Sequence, residues 1–229
     1  MTLEEEAKQR DGLEEEAAAA VILALLLIDK QLAATLGQTV TQAQVAQAQE
    51  YLFAARLIGW EWIKNNAYDA KVGQTVFDAN DAATWAADNV AYMAEGSRKI
   101  IEDALEGLDG KTSDAEKKKI AETVLKSRQD NRVTAYADDA VNGAVELGKY
   151  LVVGSFFLAN NEKINKTWYN VGDNKVRQTH IKADGQTVGF LEKFKVGGYE
   201  MRFPRDNIAP AKETARCRCS AVYSKKWSK

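Results

Sequence analysis

Both prolines, both cysteines and the only histidine of this chain fall within one stretch, Lys166 to Cys219. Proline inside a helix costs about 3 kcal/mol or more, so its confinement leaves everything before that stretch free to be helical. The residues before it are rich in Ala, Leu and Glu, which favour helix. The chain therefore reads as α+β: long N-terminal helices followed by a small mixed C-terminal module with short antiparallel strands. A boundary near residue 160 divides it into a helical region, 1–160, suited to docking and assembly, and a C-terminal module, 161–229.

Charge divides at the same place. Residues 161–229 carry 15 Lys+Arg and 7 Asp+Glu, a balance of +8, and residues 1–160 carry 16 and 26, a balance of −10. The two parts are expected to face different surroundings. Two cysteines do not make a secreted disulfide framework. Met1 to Glu16 is acidic, unlike an export signal. The apolar run Ala17 to Ile28, bounded by Glu14–Glu16 and Asp29, is short for a bilayer. These features predict a protein made in a reducing compartment, with no membrane span.

Periodicity predicts helices over Leu13–Leu36, with Gly37 as the stop, and over Thr41–Asn66. The first is apolar on all sides from Val21 to Ile28, which calls for burial or a partner, including oligomeric association through these helices. The second carries a stripe of Val45, Ala48, Leu52, Ala55 and Trp62, widened by Phe53, Leu57 and Trp60. Tyr68–Phe77, with Gly73, reads as a loop. A third helix capped by Asn80 or Asp81 runs to Leu108 with a stripe of Ala86, Val90, Met93, Ile100, Ala104 and Leu108, ended by Asp109-Gly110. Ser113-Asp-Ala-Glu116 has capping-box spacing and opens a fourth helix to about Lys126. A fifth, capped by Asp130 or Asn131, presents a one-sided seam of Val133, Ala137, Ala140, Ala144, Leu147 and Leu151, small enough for close helix approach. Tyr150–Ala159 suits either the end of that helix or a strand, broken by Asn160-Asn161. Beyond it come a short strand, Trp168–Val171, and a helix capped by Asp173 that sets Val176 and His180 at i, i+4, with Gly185 past its end. A hairpin, Phe190–Val196 and Tyr199–Phe203, turns at Gly197-Gly198. The last strand, Cys217–Tyr223, puts Cys217 and Cys219 on one face and Arg216 and Arg218 on the other.

The chemistry these residues could support is narrow. His180, Cys217 and Cys219 offer three zinc ligands, with Asp173, Asp184 or Asp206 as a fourth. The bland alternative is a hydrogen-bonded core histidine beside two small thiols. A Cys217–Cys219 disulfide is disfavoured, because same-face strand residues stand too far apart. No nucleophile elbow and no Gly-rich phosphate loop is present, so no catalytic residue is assigned. Arg177, Arg202, Arg205, Arg216 and Arg218 could touch nucleic-acid backbone without reading bases.

One further pattern spans the last quarter of the chain. It comprises Lys166-x-Trp168, Asp173-x-Lys175-Val176-Arg177-x-x-His180 and Asp184-Gly185. Phe194, Gly197-Gly198, Pro204-x-Asp206, Ala209-Pro210-Ala211-x-Glu213 and Cys217-Arg218-Cys219 follow. In order and spacing this resembles the MuF-type phage head morphogenesis proteins, the minor head proteins of phage Mu and its relatives. Arg132-Val-Thr134 stands where that family often has Arg-Thr-Glu, and Arg216 where it has Asn. The resemblance implies a bacteriophage minor capsid protein inside the virion. It would associate with the portal and other head proteins and act in head morphogenesis, and could leave with the DNA, after assembly in the host cytoplasm. It implies no enzyme and no obligatory cofactor. The alternatives are a metal-dependent or ADP-ribosyltransferase-like enzyme carried in the virion, or a non-specific DNA-binding protein.

Overall fold

Helix dominates where proline is absent. The computed structural model describes residues 3–66, 78–160 and 163–225. The order is α1 (Leu3–Ala34), α2 (Gln42–Asn66), α3 (Ala79–Leu105), α4 (Asp114–Ser127), α5 (Gln129–Asn160), β1 (Ile164–Tyr169) and α6 (Gln178–Ala183). Next come β2 (Thr187–Gly189), β3 (Phe194–Val196), β4 (Tyr199–Met201), α7 (Ala211–Thr214) and β5 (Ser220–Lys225). This is the α+β architecture expected, with long helices first and short antiparallel strands last. The expected loop at Tyr68–Phe77 and the break at Asn161 lie outside the described residues.

By packing, the chain forms two compact units, residues 1–58 with 79–140 and residues 59–78 with 141–229. The change from helix to strand does come near residue 160. The packing boundary falls earlier, inside α5, because the second half of that helix belongs with the strands.

In the first unit, α1 packs on α3 and α4. It buries Ala17, Val21, Ala24, Leu25, Ile28 and Leu32, a three-and-four spacing that lays them on one face. Leu23 and Leu26 stay 48% and 46% exposed, so the apolar run has a covered side and an open side. The helix starts ten residues earlier than its periodicity suggests. Over Lys8–Ala34 it is long and apolar enough to cross a membrane, by length and composition alone. Its Asp29 is nonetheless buried in this unit, where Arg132 Nη1 donates to Asp29 Oδ2 at 2.8 Å and Ser97 Oγ donates to Oδ1. The end of α1 is a Schellman turn: Gly37 N donates to Leu32 O at 2.7 Å and Leu36 N to Ala33 O at 3.3 Å. Leu36, with a positive φ of 50°, holds the left-handed stop position itself, and Gly37 (φ 84°) follows it rather than being the stop.

Other boundaries shift for local reasons. Thr41 and Gln44 make a reciprocal cap that opens α2. Trp60 and Ile63, rather than Trp62, complete its buried stripe. Helix α3 buries Ala82, Ala86, Val90, Met93, Ser97 and Ile101. Leu108 falls past its end and is exposed, because the chain turns at Gly107 (φ 80°), before Asp109-Gly110. The Ser113–Glu116 capping box opens α4 as expected. Only Arg128 separates α4 from α5, so Asp130 and Asn131 lie within α5 rather than ahead of it. Tyr150–Ala159 is helix. From Ala140 to Glu146 α5 is buried all round, where the sequence suggested one seam.

In the second unit, α2 and α5 approach closely at two glycines. A Cβ on Gly59 would lie 2.6 Å from Val141 O, and one on Gly148 would lie 2.6 Å from Ile63 Cγ1. The strands form an antiparallel sheet ordered β2-β1-β5, with Trp168 opposite Ala221 and Lys166 opposite Tyr223. The β3–β4 hairpin pairs Val196 with Tyr199 across Gly197 (φ 60°) and Gly198 (φ 86°), the glycine pair a two-residue turn needs. Both hairpin strands are shorter than expected. Strand β1 begins at Ile164, four residues before the expected start, because alternating burial already starts there. Trp168, Ala183, Phe194, Val196, Met201, Ala209, Cys217, Cys219 and Ala221 make the core.

Candidate functional site

Three side chains with metal-ligating atoms meet in the second unit: His180, Cys217 and Cys219. His180 comes from α6, whose N-cap is Arg177, not Asp173. Asp173 instead closes a turn, accepting from Lys175 N at 2.9 Å, so Val176 lies outside the helix and the expected i, i+4 pairing does not form. Val176 still lines the same small cavity as His180 and both cysteines. The cysteines precede β5 rather than lying in it, but the alternation holds: Cys217 and Cys219 are buried and Arg216 and Arg218 exposed. Neither cysteine is in a disulfide.

The cluster is tight. His180 Nδ1 is 3.3 Å from Cys219 Sγ and 3.5 Å from Cys217 Sγ. The other ring nitrogen, Nε2, faces Glu213 Oε2 at 3.3 Å without making a hydrogen bond. Glu213 is buried, held by Thr179 Oγ1 at 2.8 Å, and its carboxylate occupies the space a Cβ on Gly197 would need. Trp168 stands edge-on to the imidazole, ring centres 5.5 Å apart. Its buried indole N–H has no hydrogen-bond partner. Of the two thiols, Cys217 is the one driven towards thiolate. A hydrogen bond from Cys219 does most of this, and His180 and Arg205 assist against the opposing effect of burial. The Cys219 thiol is pushed up in turn, first by that hydrogen bond and then by burial.

The aspartates expected as a fourth ligand are engaged elsewhere. Asp206, fully buried, accepts from Arg202 N, Nε and Nη2 at 2.7 to 2.8 Å. Burial would raise its carboxyl pKa, but the Arg202 side-chain and backbone hydrogen bonds hold it below the usual range. Asp184 accepts from Asn170 N at 2.8 Å and ends α6, with Gly185 (φ 72°) beyond it as expected. Arg218 donates to Asp173 Oδ2 at 2.6 Å and lowers that carboxyl.

A second polar centre surrounds Lys166. Its ammonium is fully buried and donates to Arg202 O at 2.7 Å. The rings of Tyr150, Phe190 and Phe194 lie 5.2 to 5.8 Å from it, within cation–π range. Burial pulls its pKa down to about 8. Nearby, Pro204 is buried and Arg205 takes a φ of 68°. Sequence reasoning missed Glu146. Fully buried on α5, it accepts from Ser220 Oγ at 2.9 Å and Ala221 N at 3.0 Å, fastening β5 to the helix. The signal was there, a lone acid among the apolar helix residues Ala144, Val145 and Leu147.

The arginines proposed to meet nucleic acid do not act as one set. Arg205 is buried, its Nε donating to Cys217 O, so it presents nothing to a backbone phosphate. Arg202 is forked onto Asp206, and Arg177 donates to Ala215 O. Arg177, Arg216 and Arg218, with Lys175, line the cavity beside the thiols.

No family model matches this chain, and neither the curated proteins nor the solved structures contain a match to it.

Proposed function

We propose that this chain is a bacteriophage minor head protein of the MuF type. It would associate with the portal and act in head morphogenesis, and could leave with the DNA. What supports the reading is the motif series of residues 166–219. The observation that carries it is convergence: Lys166, Trp168, His180, Asp206, Glu213, Cys217 and Cys219, spread over more than fifty positions, are all buried in one unit. Polar residues that brace one another in this way suit a fixed structural knob. Leu23 and Leu26, on the open side of α1, supply an apolar surface for docking. In this reading the role is architectural rather than catalytic.

The test is co-expression of the full chain with the portal protein of the phage that encodes it. Co-elution of the two on size exclusion is the expected outcome. Separate elution of two well-folded proteins would count against the docking role.

A further inference from the structure

A neutral imidazole has one lone pair to offer. Glu213 Oε2, 3.3 Å from His180 Nε2, favours the proton on that nitrogen and leaves the lone pair on Nδ1. Two sulfurs, Cys219 Sγ at 3.3 Å and Cys217 Sγ at 3.5 Å, are then aimed at a single acceptor. Nδ1 can accept from one of them, which leaves the other to bond to its neighbouring sulfur. A divalent cation at the point where the three atoms converge would satisfy all three at once.

The spacing fits that solution. Around a tetrahedral zinc, with about 2.3 Å to sulfur and about 2.0–2.1 Å to nitrogen, neighbouring N and S ligands stand about 3.5 Å apart. Glu213 lies beside the far ring nitrogen, on the side where a carboxylate commonly backs a zinc-bound histidine. The buried Trp168 N–H, which has no hydrogen-bond partner, stands at the same cluster, its ring edge-on to the imidazole. Two thiolates balance the charge of Zn2+.

We infer that His180 Nδ1, Cys217 Sγ and Cys219 Sγ bind one zinc ion, with a fourth position facing the cavity lined by Lys175, Val176, Arg177, Arg216 and Arg218. That cavity has room for about one water-sized guest. Its cationic rim favours hydroxide or another small anion there over a neutral ligand. The ion would tie α6 to the segment before β5, a staple for a small module that has no disulfide. This inference does not depend on the phage reading.

The experiment uses the full chain, reduced and stripped of metal under anaerobic conditions, then titrated with Co2+ and afterwards with Zn2+. Cys217 and Cys219 are the only cysteines, so any thiolate-to-cobalt charge-transfer band reports this pair. The expected result is one Co2+ per chain, with those bands and the intense visible bands of tetrahedral cobalt, all displaced by zinc. Cys217→Ser and Cys219→Ser should each weaken the charge-transfer band. Glu213→Gln should keep it while lowering affinity about 10–100-fold. The wild type decides the matter even where a variant fails to fold. Native circular dichroism, two thiols titratable after denaturation and no charge-transfer band at stoichiometric cobalt would overturn the inference. Bands that survive in the double Cys217→Ser, Cys219→Ser chain would overturn it equally.

Discussion

Replacing Lys166 by Met keeps the length of the side chain and removes its charge. In the folded protein the ammonium pKa sits at about 8, against an ordinary 10.5, because burial disfavours the charged form. A group whose folded pKa is depressed in this way binds fewer protons folded than unfolded between those two values. Stability should therefore rise as pH increases from about 8 to 10.5, by about 3 kcal/mol in total. Below pH 8 the folded state bears that full cost. That cost is what remains after the hydrogen bond to Arg202 O and the surrounding rings have stabilised the ammonium. Met carries no such cost but leaves Arg202 O without the ammonium donor (about 1–3 kcal/mol), so the two changes oppose each other and Lys166→Met should change stability at pH 7 by less than about 2 kcal/mol. Urea unfolding of both proteins at a series of pH values from 6 to 10, followed by far-ultraviolet circular dichroism, measures this. The wild-type-minus-variant difference isolates Lys166 from the other groups that titrate there. The variant should lose the alkaline gain. A loss above about 3 kcal/mol at pH 7, with the alkaline gain intact, would refute the reasoning.

Other substitutions probe other parts of the account. Gly59→Ala forces a Cβ to within 2.6 Å of a backbone oxygen and should cost about 1–3 kcal/mol by denaturant unfolding, whereas an unchanged midpoint would mean the helices are free to separate. Leu25 is fully buried, so Leu25→Glu should destabilise by more than about 3 kcal/mol. The pair Leu23→Glu and Leu26→Glu should leave the melting temperature nearly unchanged and abolish incorporation into heads; normal incorporation would place the docking surface elsewhere. DNA affinity of the full chain should fall steeply with salt, show no sequence preference and weaken in the double variant Lys175→Glu, Arg216→Glu. Salt-independent binding would exclude the electrostatic account.

Where local chemistry decides, the sequence was legible. The Ser113–Glu116 cap, the Gly197-Gly198 turn and the buried alternation of Cys217 and Cys219 all stand in the structure. Where tertiary context decides, it was not. Periodicity described α1 as apolar all round, yet only packing on α3 and α4 separates buried Leu25 from exposed Leu26. The Asp173 cap failed because Asp side chains close turns as readily as they cap helices, and here Lys175 N lies in reach. Burial of Arg205 and Lys166 could not be read from residue type, because each is a charge whose partner lies elsewhere in the chain, and for Glu146 only the apolar neighbours on its helix gave a sign. The meeting of His180 with both cysteines was foreseen as one of two readings, but Glu213 behind the imidazole was not.

The phage reading is tested most directly by a quantitative mass-spectrometric inventory of gradient-purified particles from the phage that encodes this chain, before and after DNA release. The account predicts the chain in full heads, in far fewer copies than the coat protein and in fixed ratio to the portal. Its absence from intact particles, with the protein abundant in the lysate that produced them, would contradict the account.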